Sequence, residues 1–120
     1  MVREHPAMRH ARPFALVVLA GCGSVAAAAE PPAATLELYR VKCASCHMAD
    51  GSSPLEPLNF TDAKWTHGSR PQEVAKVIAE GVPGTAMLAF KAQLSPKEVA
   101  DLAAYVRSFD KTLKAGKSGR

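Results

Sequence analysis

Cys43-Ala44-Ser45-Cys46-His47 constrains this chain more than any other stretch. Two cysteines with two residues between them, followed at once by a histidine, form the C-x-x-C-H spacing that reads as a c-type haem attachment site. About one turn of chain between the cysteines lets both sulfurs reach the vinyl groups of one porphyrin as thioethers, and the next residue can turn its imidazole onto the iron. A chain of 120 residues is one small domain at most. Small exported domains bury little surface and usually need a disulfide framework, a metal or a cofactor to fold. With only 3 cysteines, two of them three positions apart in this motif, a cofactor is the expected staple.

Three other readings use the same residues. A thioredoxin-like redox pair is expected beside a βαβ pattern, and no stretch here alternates as a strand does. A zinc site normally needs four Cys or His ligands, and outside the N-terminal stretch the chain offers Cys43, Cys46, His47 and an isolated His67. A disulfide between Cys43 and Cys46 closes too small a loop to stabilise much.

An iron held by His47 needs its other axial position filled. Met87 is the first candidate, in Gly81-Val82-Pro83-Gly84-Thr85-Ala86-Met87, whose Gly and Pro content makes it a loop. A methionine in a loop can present a soft thioether to iron, and Met/His ligation raises the reduction potential relative to two histidines. The competing reading is that Met87 fills core space, as methionines commonly do. Met48 lies too close to His47 to reach the opposite face, and His67 is the rival ligand.

Residues 1–29 read as an export signal. Arg9, His10 and Arg12 form a positive start, with Met8 an alternative first residue; Phe14 to Ala20 form an apolar run, and Ala26 to Ala29 are small. The run is shorter than the roughly 20 residues that span a bilayer. Two cleavage sites compete: Leu19-Ala20-Gly21-Cys22 resembles a lipobox, which would leave Cys22 lipidated at the mature N-terminus, and ordinary cleavage after Ala29 would discard it. Residues 30–34, with Pro31 and Pro32, read as a linker, 35–110 as the domain and 111–120 as a basic tail.

Beyond residue 29 there are 12 basic and 10 acidic side chains, and four of the basic ones, Lys111, Lys114, Lys117 and Arg120, lie on the tail. The remainder is slightly acidic, which argues against a nucleic-acid surface. Nor does the sequence offer a nucleophile with a base or a carboxylate dyad, so an enzyme is not expected.

Three helical stretches can be placed. Leu36, Tyr39 and Cys43 share a face, with Thr35 as the expected N-cap. A second helix begins near Ser69, where Ser69 and Gln72 have capping-box spacing around Pro71; Val74, Val77 and Ile78 form its stripe, and Gly81 and Pro83 stop it. The third has Ser95 as cap, Pro96 in the first turn and Glu98 reaching back, followed by Val99, Leu102, Ala103, Val106 and Phe109 on one face. The expected class is all-α, with three to five helices around one haem.

These features together resemble the class I monohaem c-type cytochromes, most closely the group with Gly-Val-Pro-Gly-Thr-x-Met at the second ligand. The resemblance covers about residues 35–109 and includes Leu38 and Tyr39 ahead of the motif, the Phe60 to Trp65 segment, the Met87 loop and Leu102-Ala103-Ala104-Tyr105-Val106. It implies first and last helices that cross, the carbonyl of Pro57 orienting His47 through its other ring nitrogen, and Trp65 either donating to a haem propionate or packing on the haem edge. Two departures stand out: Thr35 replaces the usual glycine at the helix crossing, and Leu88 replaces the proline that usually follows the methionine. The implied function is single-electron transfer in an exported, periplasmic or membrane-tethered chain, with a dehydrogenase, oxidase or reductase as redox partner and the protein a monomer or a subunit. The alternatives are an electron-entry subunit of a larger oxidoreductase and a gas-binding or sensory haem protein in which the ligand displaces Met87.

Overall fold

A computed structural model describes residues 29–113 together with Gly21 and Gly23. Cys22 and most of the expected leader, as well as the tail beyond Leu113, lie outside the described residues. Among the described residues the regular structure is all helical: α1 (Ala33–Lys42), α2 (Ala44–His47), a 3₁₀ turn (Glu56–Leu58), α3 (Pro71–Glu80) and α4 (Pro96–Ser108).

α1 starts two residues earlier than expected. Its N-cap is Pro32, whose carbonyl accepts from Thr35 N–H at 2.9 Å, and no side chain caps it. Ala33 and Ala34 are strong helix formers, so the helix extends back to the proline that stops it. Thr35 is therefore not a cap but an interior residue, 3% exposed. It shares a face with Tyr39, which packs edge-on against Tyr105 at 5.1 Å and tilted against Phe109 at 5.4 Å. That face is where α1 meets α4, so the contact between first and last helices forms with a threonine where a glycine was the expected residue.

α3 also begins one residue off the expected register. Arg70, not Ser69, is the N-cap, because Pro71 takes the first helical position, where its missing N–H costs nothing. The residue that reaches back is Glu73, not Gln72; it accepts from Arg70 N–H at 3.0 Å and from the guanidinium at 2.6 Å. α4 follows its sequence signature: Glu98 N–H donates to Ser95 Oγ at 3.1 Å and Ser95 N–H to Glu98 Oε2 at 2.7 Å.

α3 and α4 pack extensively on each other. Val74 and Ile78 from α3 and Val99, Leu102, Ala103 and Val106 from α4 form the core with Tyr39 and Leu94. Burying a residue such as Leu102, 1% exposed, contributes about 1.5–3 kcal/mol. Of these, Val74, Ile78, Leu94, Leu102 and Val106 also border a cavity.

Candidate functional site

The cavity, about 450 Å³, lies between the cysteine motif, the chain from Pro57 to Gly68, and the inner faces of α3 and α4. Its floor is apolar, formed by Val74, Ile78, Leu94, Leu102 and Val106. That size and lining suit a small-molecule or cofactor site. Cys43, Cys46, His47, Pro57, Trp65 and Met87, all singled out in the sequence, line it together, as does His67 at the exposed rim. Met48 is absent from the lining.

The motif wraps round the end of α1. Cys43 closes α1 with its N–H on Tyr39 O, and α2 then turns Cys46 and His47 toward the cavity. Met48 ends α2 at φ +65°, a strained conformation for a residue with a side chain, and the Tyr39 hydroxyl donates to its carbonyl at 2.8 Å. Neither Cys43 nor Cys46 is in a disulfide. Burial pushes the Cys43 thiol up, against the weaker pull of Lys42, which is the reverse of the low-pKa cysteine of a thiol redox centre.

His47 Nδ1 lies 2.8 Å from the carbonyl of Leu58. The orienting carbonyl is thus Leu58's and not Pro57's. The 3₁₀ turn Glu56–Leu58 points the carbonyl of its last residue at the ring, and Pro57 contributes to the cavity wall instead. With Nδ1 as the donor, Nε2 keeps the lone pair. Burial lowers the imidazole's pKa more than the carbonyl raises it, which favours the neutral ring. Phe60 stacks on the imidazole at 4.3 Å between centroids and fixes the plane of the ring.

The Met87 loop is closed by its own hydrogen bonds. Val82 N–H donates to Met87 O at 3.0 Å, Thr85 Oγ1 donates to Val82 O at 2.7 Å, and Met87 N–H donates to Thr85 Oγ1 at 3.2 Å. Gly81, at φ +69°, makes this possible, since a Cβ there would lie 2.6 Å from Met87 O. The loop is therefore held by Thr85 and Gly81, with Leu88 exposed beside it.

Trp65 stands in the cavity wall, parallel to Phe60 at 5.9 Å, but its Nε1–H donates to Asp110 Oδ2 at 2.8 Å. The indole donor is occupied by Asp110, which favours the packing role of the two expected for Trp65. Leu58 O, Thr85 and Asp110 were missed in the sequence. The Gly-Thr-x-Met spacing could have pointed to Thr85; nothing local signals the other two.

This donor set fits a haem c. Two unpaired thiols stand next to one imidazole with its Nε2 free, one thioether is held on a closed loop, and apolar walls surround them. Among the described residues no three His, Cys, Asp or Glu side chains converge to hold a metal ion in another way.

A sequence model of the family described as cytochrome C oxidase, cbb3-type, subunit III matches residues 30–106. The Cbb3-type cytochrome c oxidase subunit FixP of Sinorhizobium medicae (strain WSM419) is 33% identical over 79 residues, which take in 59% of this chain and 27% of that protein. The chain thus spans about a quarter of the length of that relative. Among solved structures, the c-type cytochrome KustC0563 is 34% identical with a TM-score of 0.54, over 64% of this chain and 98% of that one. Cytochrome c6 from the diatom Phaeodactylum tricornutum is 27% identical with a TM-score of 0.54, over 66% and 93%. The cavity, its donors and these likenesses converge: the chain belongs to the c-type cytochromes, in the family of cbb3-type cytochrome c oxidase subunit III, and is an all-α electron-transfer protein with covalently bound haem c.

Proposed function

We propose that this chain is a single-electron carrier, not a catalyst, with one haem joined to Cys43 and Cys46 and its iron held by His47 and Met87. The observation that carries the reading is that one apolar cavity gathers all four side chains from two segments forty residues apart. The haem supplies a one-electron couple, and Met/His ligation places its potential above that of a bis-histidine site. The chain's own residues do the rest. The cysteines tether, Leu58 O and Phe60 orient His47, the Thr85 turn presents Met87, and the walls made by α3 and α4 keep water from the centre.

The test is mass and visible spectroscopy of protein matured in a haem-attaching host. One added haem with both thiols blocked is expected, with the weak near-infrared band of a sulfur-to-iron bond that Met87→Ala removes while lowering the potential. A bare polypeptide mass sinks the attachment; a band that survives Met87→Ala, or is absent while His67→Ala alters the spectrum, sinks the ligand assignment. Rapid carbon monoxide binding by the reduced wild type would favour the gas-binding alternative, against which the closed Met87 loop argues.

A second reading is favoured by the longer relative named as an oxidase subunit: the domain passes electrons into a larger oxidoreductase. Stable co-purification with such a complex from native membranes supports it. In either reading the domain works outside the cytoplasm, released or tethered by lipid at Cys22.

A further inference from the structure

Asp110 follows Phe109 at the end of α4 and is 1% exposed, a carboxylate covered from solvent by the chain around it. Among the described residues, every donor it meets is neutral. Oδ1 accepts from the Thr112 amide at 2.8 Å and the Thr112 hydroxyl at 2.6 Å, and Oδ2 accepts from Trp65 Nε1–H at 2.8 Å. Burial alone would raise its pKa; the donors outweigh that and hold the carboxyl below the usual carboxylate range. A side chain that only accepts is required here. An asparagine would turn its NH₂ either at the indole N–H or at the Thr112 donors.

The indole that Asp110 grips forms part of the wall of the haem cavity and lies parallel to Phe60, which in turn stacks on His47. We infer that Asp110 is a positioning residue for the redox centre: it locks the Trp65 indole into the cavity wall and sets a buried negative charge behind it, which favours the oxidised iron. This rests on the haem occupying the cavity as proposed above. A charge covered from solvent is screened less than an exposed one, and reduction adds an electron to the centre on the other side of the indole, so the charge opposes reduction. The indole N–H is thereby committed to the protein and withheld from the cofactor.

The chain has one tryptophan, so haem-loaded protein labelled with ¹⁵N at the indole gives one indole N–H resonance. In the wild type it exchanges slowly with solvent. Asp110→Asn moves the resonance, speeds its exchange and raises the reduction equilibrium constant roughly three- to tenfold, about 30–60 mV for one electron. Trp65→Phe, which keeps the charge, raises it less. An unmoved resonance with an unchanged potential in Asp110→Asn overturns the inference, as does a Trp65→Phe rise equal to that of Asp110→Asn. If Asp110→Asn does not accumulate in haem-loaded form, Thr112→Val decides. It removes a donor from the same carboxylate and shifts the indole resonance, whereas an indole bound elsewhere leaves it in place and the inference fails. Protein without attached haem instead refutes the parent reading and is recognised by mass before any of these measurements.

Discussion

Tyr39→Phe isolates one hydrogen bond and one buried ionisable group in a single substitution. The ring, 2% exposed between Tyr105 and Phe109, keeps its packing; what goes is the donation to Met48 O at 2.8 Å. Met48 O still accepts from Gly51 N–H at 3.2 Å, so no acceptor is orphaned and the loss at neutral pH is that of one net hydrogen bond, about 1 kcal/mol. For a domain of this size that lowers Tm by about 4–8 °C. Burial raises the Tyr39 pKa well above its ordinary value, because the phenolate is disfavoured inside. A raised folded pKa contributes stability that is complete below the unfolded value near 10 and is lost as pH climbs toward the folded value, at up to about 1.4 kcal/mol per pH unit. The variant has no such term. The 1 kcal/mol advantage of the wild type therefore vanishes between about pH 10.5 and 11, where the two stability curves cross. Urea unfolding of the haem-loaded proteins, followed by far-UV circular dichroism from pH 7 to 11, measures this directly, and every other titrating group is common to both. Equal stabilities at pH 7, or a difference that stays constant to pH 11, would refute the reasoning.

Gly81→Ala forces a Cβ into a positive-φ position and against the Met87 carbonyl, so it should cost about 2 kcal/mol or more and weaken the near-infrared sulfur-to-iron band; an unchanged band with unchanged Tm contradicts the account of the loop. Ser95→Ala removes the side-chain cap of α4 and should destabilise by about 1 kcal/mol in denaturant titration, while Ser69→Ala, at a residue that caps nothing, should be near neutral. Fractionation of cells expressing the native gene should place the wild type in membranes that salt does not strip, with lipid processing lost in Cys22→Ser, if the lipobox is used; a soluble wild type beginning at Glu30 decides for ordinary cleavage.

The helices were legible where a side chain announces its own role. Ser95 and Glu98 form the reciprocal cap that their spacing predicts, because both partners sit within one turn and no distant contact competes. Thr35 shows the opposite: a good capping residue on paper, it is overridden by Pro32 upstream and by burial against α4. Ser69 failed by one residue, since a proline takes the first helical position and passes the cap to its immediate predecessor, Arg70. The cysteine motif, His47 and the Met87 segment stood out in the sequence by residue type and spacing, and the cavity brings them together. The carbonyl beside His47 was misplaced by one residue, since the direction of a main-chain oxygen depends on turn dihedrals that side-chain pattern does not encode. The bond from Trp65 to Asp110 spans forty-five residues and had no local signal at all.

That His47 leans on the carbonyl of Leu58 has a consequence for how this protein tolerates change. Every residue type carries a main-chain carbonyl, so no substitution at position 58 deletes the acceptor; it can only be lost by bending the turn. Selection can then let the side chain at 58 drift under the demands of packing while the histidine's orientation stays put. The exposed neighbour Glu56 in the same turn is freer still provided the 3₁₀ geometry survives. Genetic damage to the support of His47 is therefore expected to arise from insertions, deletions and backbone-breaking changes in residues 55–59, and seldom from ordinary point substitutions there.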